Sequence, residues 1–469
     1  MCHSGYRCNM AQQTLINDYM KGKGINMSRS VNKTAQLLSA MGIFFCFCGV
    51  LMAVTDEYYN VKTDYGAVGN GTTNDTTAFQ NALNAAAAAP GDKWVFVPAG
   101  TYLISTHLTI PVGVTLKGSW QFTPGSGATA VGATLLAVEG AGNPNGTAFI
   151  RMDSDSCIQG IKIRYPNQTS KTSDPFTPVQ YPWTLDVFGA NVKVLDCYVE
   201  NPYQCLKITG TGRANVVGLC GQPLYKGIYV NYALDSCRFK NVHFYPFWSG
   251  ANHGPSTWIA NNGEAFVFGY ARYQDMSNCY SYGYKYGFHF IPKPEDPYIG
   301  QACQGQFVNC DAILCGTAAV KVDECQIAYG GLRFVNGDFC VNERYSHSTT
   351  LESVTIGAET SGCVGFDNCS FWGPSSRICT INTGTSPGTA TFTNCSFRDW
   401  DMAAEGKYAF AVLGGRVIVK GCYFITSGNC VSVASAALGA TITANVGAAS
   451  TEILNNAGTT KCQVANNVP

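Results

Sequence analysis

One phrase keeps returning in the chain downstream of Asp153: a short strand-forming run, a turn with Asn or Asp before Cys, and a second run. It is clearest in Phe366-Asp367-Asn368-Cys369-Ser370-Phe371, Phe392-Thr393-Asn394-Cys395-Ser396-Phe397 and Val419-Lys420-Gly421-Cys422-Tyr423-Phe424. Variants occur around Asp196-Cys197, Asp235-Ser236-Cys237, Asn278-Cys279, Asn309-Cys310 and Asn336-Gly337. Cysteines 369, 395 and 422 are 26 and 27 residues apart, whereas 197, 237 and 279 are 40 and 42 apart. The later spacing suits one solenoid coil per repeat, and the earlier one a coil carrying a long loop. One such coil cannot bury its apolar face alone, so like positions must stack, and a turn asparagine can hydrogen-bond to the next coil. The spacing therefore predicts that Cys369, Cys395 and Cys422 line up along a common axis. It specifies architecture and carries no information about chemistry.

Composition agrees with a stack of strands. The 469 residues are 46% hydrophobic and 13% charged, enough apolar material for a large core. Fifty-one glycines against nineteen prolines, among many short runs of Val, Ile, Phe and Tyr, point to strands closed by tight turns. The formal net charge of zero argues against a nucleic-acid partner. Twenty-two cysteines would ordinarily suggest a disulfide framework in an exported protein. Their recurrence at one place in the repeat instead predicts mostly free, buried thiols acting as small apolar filler, with disulfides among Cys303, Cys315 and Cys325 left open.

The amino terminus reads as an export segment. Residues 34–54 are apolar and uncharged, with Arg29 and Lys33 before them and Asp56 and Glu57 after them. The expected organisation is a polar extension over residues 1–26, a signal peptide or membrane anchor over 27–55, and the body over 56–469. Leu51-Met52-Ala53 is a poor cleavage site, so an uncleaved anchor through residues 34–54 stays open. Either version places the body outside the cytoplasm, secreted or at the cell surface.

A solenoid needs its open end covered. Residues 74–89 supply a helix, capped by Asn74 or Thr73, with Phe79, Ala82, Leu83 and Ala86 on one face and Pro90-Gly91 as its stop. Asp64-Tyr65-Gly66-Ala67-Val68-Gly69-Asn70-Gly71-Thr72-Thr73-Asn74-Asp75-Thr76, this helix, Val97-Pro98-Ala99-Gly100-Thr101-Tyr102 and Gly113-Val114-Thr115-Leu116-Lys117-Gly118 closely resemble the opening of the pectate-lyase-like superfamily, of the type shared by rhamnogalacturonase and epimerase-like proteins. The resemblance spans about residues 60–120. It implies an all-β, single-stranded right-handed parallel β-helix with an N-terminal capping helix, and commonly an activity on polysaccharides by hydrolysis, β-elimination or epimerisation. Fold alone does not fix function.

The motif set of polygalacturonase-type relatives is not found, and Asn252-His253-Gly254 and Ile161-Lys162-Ile163-Arg164 are distant echoes of it. Asp153, Asp155, Asp323 and Glu324 are too scattered for a calcium cluster, and no zinc-ligand spacing occurs. No cofactor is therefore expected, with calcium reserved for a lyase. Aromatic residues crowd into 243–298. Trp248, Tyr245, Trp258 and Tyr270 offer flat platforms for the C–H faces of sugars, with Lys285 and His289 as polar partners. Strand-forming residues stacked along a β-helix would look the same.

Within that segment Glu264 begins a strand, and Arg272 and Asp275 follow at the next turn. Glycosidic hydrolysis needs two carboxyl groups, so Glu264 and Asp275 are the expected catalytic pair, with Arg272 between them; a plain salt bridge to Arg272 is the competing reading. For β-elimination, Lys285 or Arg272 would serve as base. The expectation is an exported glycoside hydrolase acting on a polysaccharide or oligosaccharide. A polysaccharide lyase, or a non-catalytic glycan-binding or adhesive β-helix, is the alternative, and a homotrimer is compatible with any of them.

Overall fold

The computed structural model describes residues 58–91, 93–119, 132–250, 252–292, 303–327, 329–342, 350–449 and 452–469. The expected amino-terminal extension and the signal or anchor segment lie outside the described residues. Among those described, no helix is long and apolar enough to cross a membrane.

The chain winds as a right-handed parallel β-helix whose coils each contribute one strand to three long sheets. Sheet A has fifteen strands from Tyr58–Asn60 to Cys462–Ala465; sheet B, from Asn70–Asn74 to Tyr423–Phe424, and sheet C, from Leu108–Ile110 to Ile453–Asn455, have thirteen each. Every pairing is between strands of successive coils and is parallel, as in Val194↔Val216 and Phe334↔Phe366. Alternate side chains of each strand point inward, and the inward rows stack like on like. Phe307, Phe334, Phe366 and Phe392 form one such row in sheet A, stacked with successive ring centroids 4.6, 5.0 and 5.0 Å apart and ring planes nearly parallel. Phe339, Phe371, Phe397 and Phe424 form another in sheet B.

The turn from sheet A to sheet B carries the repeated phrase. Asn241, Asn278, Asn309, Asn336, Asn368 and Asn394 all have φ between 52° and 56°, the left-handed region that Asn tolerates better than other side-chain-bearing residues. Each amide reaches along the axis: Asn309 Nδ2 donates to Asn278 Oδ1 at 3.1 Å, Asn336 to Asn309 at 3.2 Å and Asn368 to Asn336 at 2.8 Å. The next residue points inward, and Cys369, Cys395 and Cys422 do stack as expected. Their thiols donate to the carbonyls of Phe334, Phe366 and Phe392 at 3.6, 3.5 and 3.4 Å. All cysteines among the described residues are free thiols, including Cys303, Cys315 and Cys325, and all but Cys220 and Cys363 are buried.

The early spacing needs correction. Asp235-Ser236-Cys237 precedes the sheet A strand Arg238–Lys240 and is not the turn phrase. The turn positions there are Asp196, Gly218 and Asn241, steps of 22 and 23 residues, with Leu219 and Val242 buried where later coils use Cys. These are short coils. Two long steps flank them, 36 residues from Gly160 to Asp196 and 37 from Asn241 to Asn278, and the second contains a helical insertion.

Two helices are present among the described residues. Helix α1, Thr76–Ala88, covers the amino-terminal end and buries Phe79, Ala82, Leu83 and Ala86. Asn74 Oδ1 accepts the Thr76 N–H at 3.1 Å, whereas the Asp75 carboxylate turns back to the N–H groups of Val68 and Gly69. Helix α2, His253–Asn262, lies in the connection from sheet B to sheet C and ends at Gly263, immediately before the strand Glu264–Phe268.

Candidate functional site

The outward face of sheet C collects charged residues at the register positions next to α2. Outward positions of successive coils pair as Lys226↔Glu264↔Tyr286 and, three residues on, as Tyr229↔Val267↔His289↔Lys321. Sequence neighbours therefore separate, while residues one coil apart meet at about 4.8 Å.

His289 sits between two carboxylates. Its Nε2 is 2.8 Å from Asp323 Oδ2, and its Nδ1 is 3.5 Å from Glu264 Oε2. The second contact is an ion-pair distance outside hydrogen-bond geometry, so Asp323 is the stronger partner. Lys226 Nζ donates to Glu264 Oε2 at 3.1 Å, and Lys321 Nζ lies 3.4 Å from Asp323 Oδ1. Side-chain exposures of 9% for His289 and 14% for Glu264 mean that these charges interact with little screening by water.

The arrangement biases protonation states. Burial by itself would push the Glu264 carboxyl up, but His289 and Lys226 outweigh it and bring its pKa from an ordinary 4.5 down to about 2. Burial opposes charge on His289, yet the hydrogen bond to Asp323 and the nearness of Glu264 raise its pKa above the usual value. Asp323 is lowered despite burial by His289 and Lys321. The shifts thus all favour the charged forms, an imidazolium between two carboxylates. Glu352 lies on the same outward row and has a raised pKa, chiefly through burial. It stands three coils from Glu264, about 14 Å along the axis.

Aromatic rings border this group. Tyr203 and Tyr225 stack at 5.0 Å, and Trp258 of α2 packs against both at 6.4 and 6.3 Å. Trp183 and Tyr229 lie 5.7 Å apart, and Lys226 Nζ is within 6 Å of the Tyr225 and Tyr229 ring centres. Lys285 and Lys321 lie 5.0 and 4.9 Å from the Tyr286 ring. Of the residues expected from sequence, Glu264, His289, Lys285 and Trp258 therefore belong to one neighbourhood.

The others do not join it. Glu264 and Asp275 are not a pair: Glu264 is on sheet C, whereas Asp275 is on the outer face of sheet A between Arg238 and Gln306. Arg272 lies at the turn between those sheets, 5.6 Å from the Tyr270 ring, and the recorded ion-pair partners of Glu264 are Lys226 and His289. Tyr270 is 5% exposed and part of the core, its N–H held by Asn231 Oδ1 at 2.8 Å, so it is no surface platform. Trp248 packs on Phe176 at 6.2 Å in the connection leading to α2, its N–H bound by Gln222. Tyr245 directly follows the sheet B strand His243–Phe244 and lies against Tyr282 at 5.0 Å.

Lys226, Asp323, Lys321, Tyr225 and Tyr229 were missed as site residues. Their signal was the register of sheet C, recoverable only by aligning Lys226, Glu264 and Tyr286 across coils of unequal length. Among the described residues, no cluster of three or more His, Cys, Asp or Glu is placed to hold a metal ion.

Residues 58–198 match the family described as rhamnogalacturonase A/epimerase, pectate lyase-like. A 73-residue stretch is 32% identical to an iota-carrageenase of Alteromonas macleodii, covering 14% of this chain and 15% of that protein. Among solved structures, a tailspike protein double mutant of E. coli bacteriophage HK620 has a TM-score of 0.58 at 11% identity, covering 88% of this chain and 78% of that one. The same tailspike in complex with a pentasaccharide has a TM-score of 0.55 at 10% identity, with the same coverage. At these identities the structural likeness is one of fold.

Proposed function

We propose, from the premise that this chain is a pectate-lyase-like parallel β-helix, that it is a carbohydrate-active enzyme acting outside the cytoplasm on a polysaccharide or oligosaccharide laid across sheet C, and that the reacting centre is Glu264, His289 and Asp323. The observation that carries this reading is the His289 imidazole held between two carboxylates on the outward face, 2.8 Å from one and 3.5 Å from the other. The aromatic border of Trp183, Tyr225, Tyr229 and Trp258 beside it gives the centre the flat apolar surfaces that sugar rings stack on.

Hydrolysis is the first reading. It requires a proton for the departing glycosidic oxygen and a base or nucleophile for the anomeric carbon. Glu352, with its raised pKa, is too far from Glu264 to be the acid, since paired carboxyls act at roughly 5–9.5 Å. His289 is then the proton donor: its N–H gives the proton to the leaving oxygen as the C–O bond breaks. Glu264 or Asp323, both ionised, takes the proton of the attacking water or attacks directly.

Elimination is the second reading, favoured by Lys285 and Lys321 on the Tyr286 ring. Two cations there would hold a uronate carboxylate while ionised Glu264 or Asp323 removes the neighbouring proton. The relative matched over 73 residues is an iota-carrageenase.

The test is a panel of plant, algal and microbial polysaccharides assayed for new reducing ends and for absorbance of unsaturated products, with wild type, His289→Ala and Glu264→Gln. Hydrolysis gives reducing ends alone and elimination gives both signals. Each substitution should lower the rate by about 100- to 10,000-fold, the usual contribution of a general acid or base. Turnover undiminished in both variants would refute the assignment, and glycan binding without any product would make the protein a binder.

A further inference from the structure

Sheet B has an outward face of its own, on a different sheet from the His289 centre. His243 pairs with Tyr280 and Tyr280 with Asp311 along one outward row; Tyr245, Tyr282 and Trp372 follow two residues later on their coils. The rings close into a tile of two coils by two positions. His243 and Tyr280 are 4.9 Å apart, Tyr245 and Tyr282 are 5.0 Å apart, and His243 and Tyr245 are 5.8 Å apart. None of these rings is part of the hydrophobic core, which the inward phenylalanines already fill. Tyr245 is 38% and Trp372 37% exposed. An aromatic group of this size left on the outside of a strand ladder contributes nothing to core packing, whereas it matches the stacking surface that a sugar chain needs.

The two coils after the tile place Asp311 and Asp338 on the same row. The Asp338 N–H donates to Asp311 Oδ1 at 2.9 Å, and the Trp372 indole N–H donates to Asp338 Oδ1. Among the described residues, neither carboxylate has a recorded ion pair, unlike Glu264 and Asp323 on sheet C. Adjacent carboxylates without a cation repel a polyanion but accept hydrogen bonds from hydroxyl groups. From His243 to Trp372 the face spans four coil steps, about 19 Å, the length of a short oligosaccharide.

We infer that this face of sheet B is a second glycan site, separate from the sheet C centre, which holds a neutral polysaccharide along the helix axis. Tyr245, Tyr280, Tyr282 and Trp372 are its platforms, and Asp311 and Asp338 accept sugar hydroxyls. The inference does not depend on catalysis at sheet C. A protein inactive on every glycan could still bind here, and an active one could lack this site.

Native gels cast with soluble neutral polysaccharides (laminarin, xyloglucan, galactomannan) or with alginate test it on the full chain. Wild type and Glu264→Gln should be retarded by at least one neutral polymer and run freely in alginate. The double variant Tyr280→Ala/Trp372→Ala should bind the retarding polymer at least tenfold more weakly, with unchanged melting temperature. Asp311→Asn/Asp338→Asn, which keeps the rings, should also weaken neutral binding and provides a second probe if the first variant is unstable. Free migration of wild type in all three neutral polymers overturns the inference. So does equal retardation of wild type and both double variants, or retardation that Glu264→Gln alone abolishes.

Discussion

His289 Nε2 and Asp323 Oδ2 stand 2.8 Å apart across one coil step, with Lys321 3.4 Å from the other Asp323 oxygen. The carboxylate stabilises the imidazolium and so sets when His289 gives up its proton. His289 has a raised pKa in the fold, so its contribution to stability is fully present below the unfolded value near 6.5 and is lost as pH rises through the folded value.

Asp323→Asn removes the hydrogen-bonded charge. The His289 titration midpoint, followed by NMR of its ring protons, should fall, and the alkaline limb of any activity profile should move to lower pH with it. An unchanged midpoint would mean that Asp323 does not hold the proton on His289.

Glu264 works in the opposite direction. Its pKa is depressed from 4.5 to about 2, so its stabilisation is present above pH 4.5 and disappears as pH falls toward 2. Glu264→Gln should cost about 1.5–3 kcal/mol at neutral pH, the range for a hydrogen bond to a charged group, because Lys226 is left without its partner. Denaturant unfolding at a series of pH values should show the difference from wild type shrinking between pH 4.5 and 2. A constant gap would show that the pair is not the source.

In the asparagine ladder, Asn336 has φ 56°, donates to Asn309 and accepts from Asn368. Asn336→Ala loses both bonds and strains the backbone, at about 1–2 kcal/mol for the left-handed conformation plus about 0.5–1.5 kcal/mol per bond. Asn336→Gly loses only the bonds and should be the more stable of the two in thermal unfolding. Equal melting temperatures would rule out the backbone contribution.

The stacked thiols give a chemical readout. Sixteen of the eighteen described cysteines are buried, with Cys220 and Cys363 intermediate, and all are free. Burial raises the pKa of Cys205 and of Cys379, which further suppresses the reactive thiolate. A thiol reagent should leave the buried set untouched in the native protein and titrate it in denaturant, and a reducing agent should not change the melting temperature. Fast native reaction at Cys395 would contradict the stack.

Periodicity made the scaffold legible. Apolar residues had to stack, turn asparagines had to repeat, and the opening phrase through Gly118 carried the family resemblance. The coil length was misread where Leu219 and Val242 replace Cys, because any small or branched apolar side chain fills that inward slot. Glu264, His289, Lys285 and Trp258 were picked out from local character alone. Asp275 was paired with Glu264 because eleven residues looked close in sequence, but the turn at Arg272 carries it to another sheet. Asp323 was passed over because its partner His289 is 34 residues away. Such contacts follow from inter-coil register, which loops of unequal length conceal.

Glu264, His289 and Asp323 come from three successive coils, each of which pairs only with the coils directly before and after it. Duplicating or excising one whole winding elsewhere in the spiral would lengthen or shorten the molecule while leaving this trio whole. Excising the winding that bears His289 would instead let its neighbours close up and re-pair, yielding a folded protein with two facing acids and no imidazole. Activity and folding in such a lineage can therefore be inherited, or forfeited, independently.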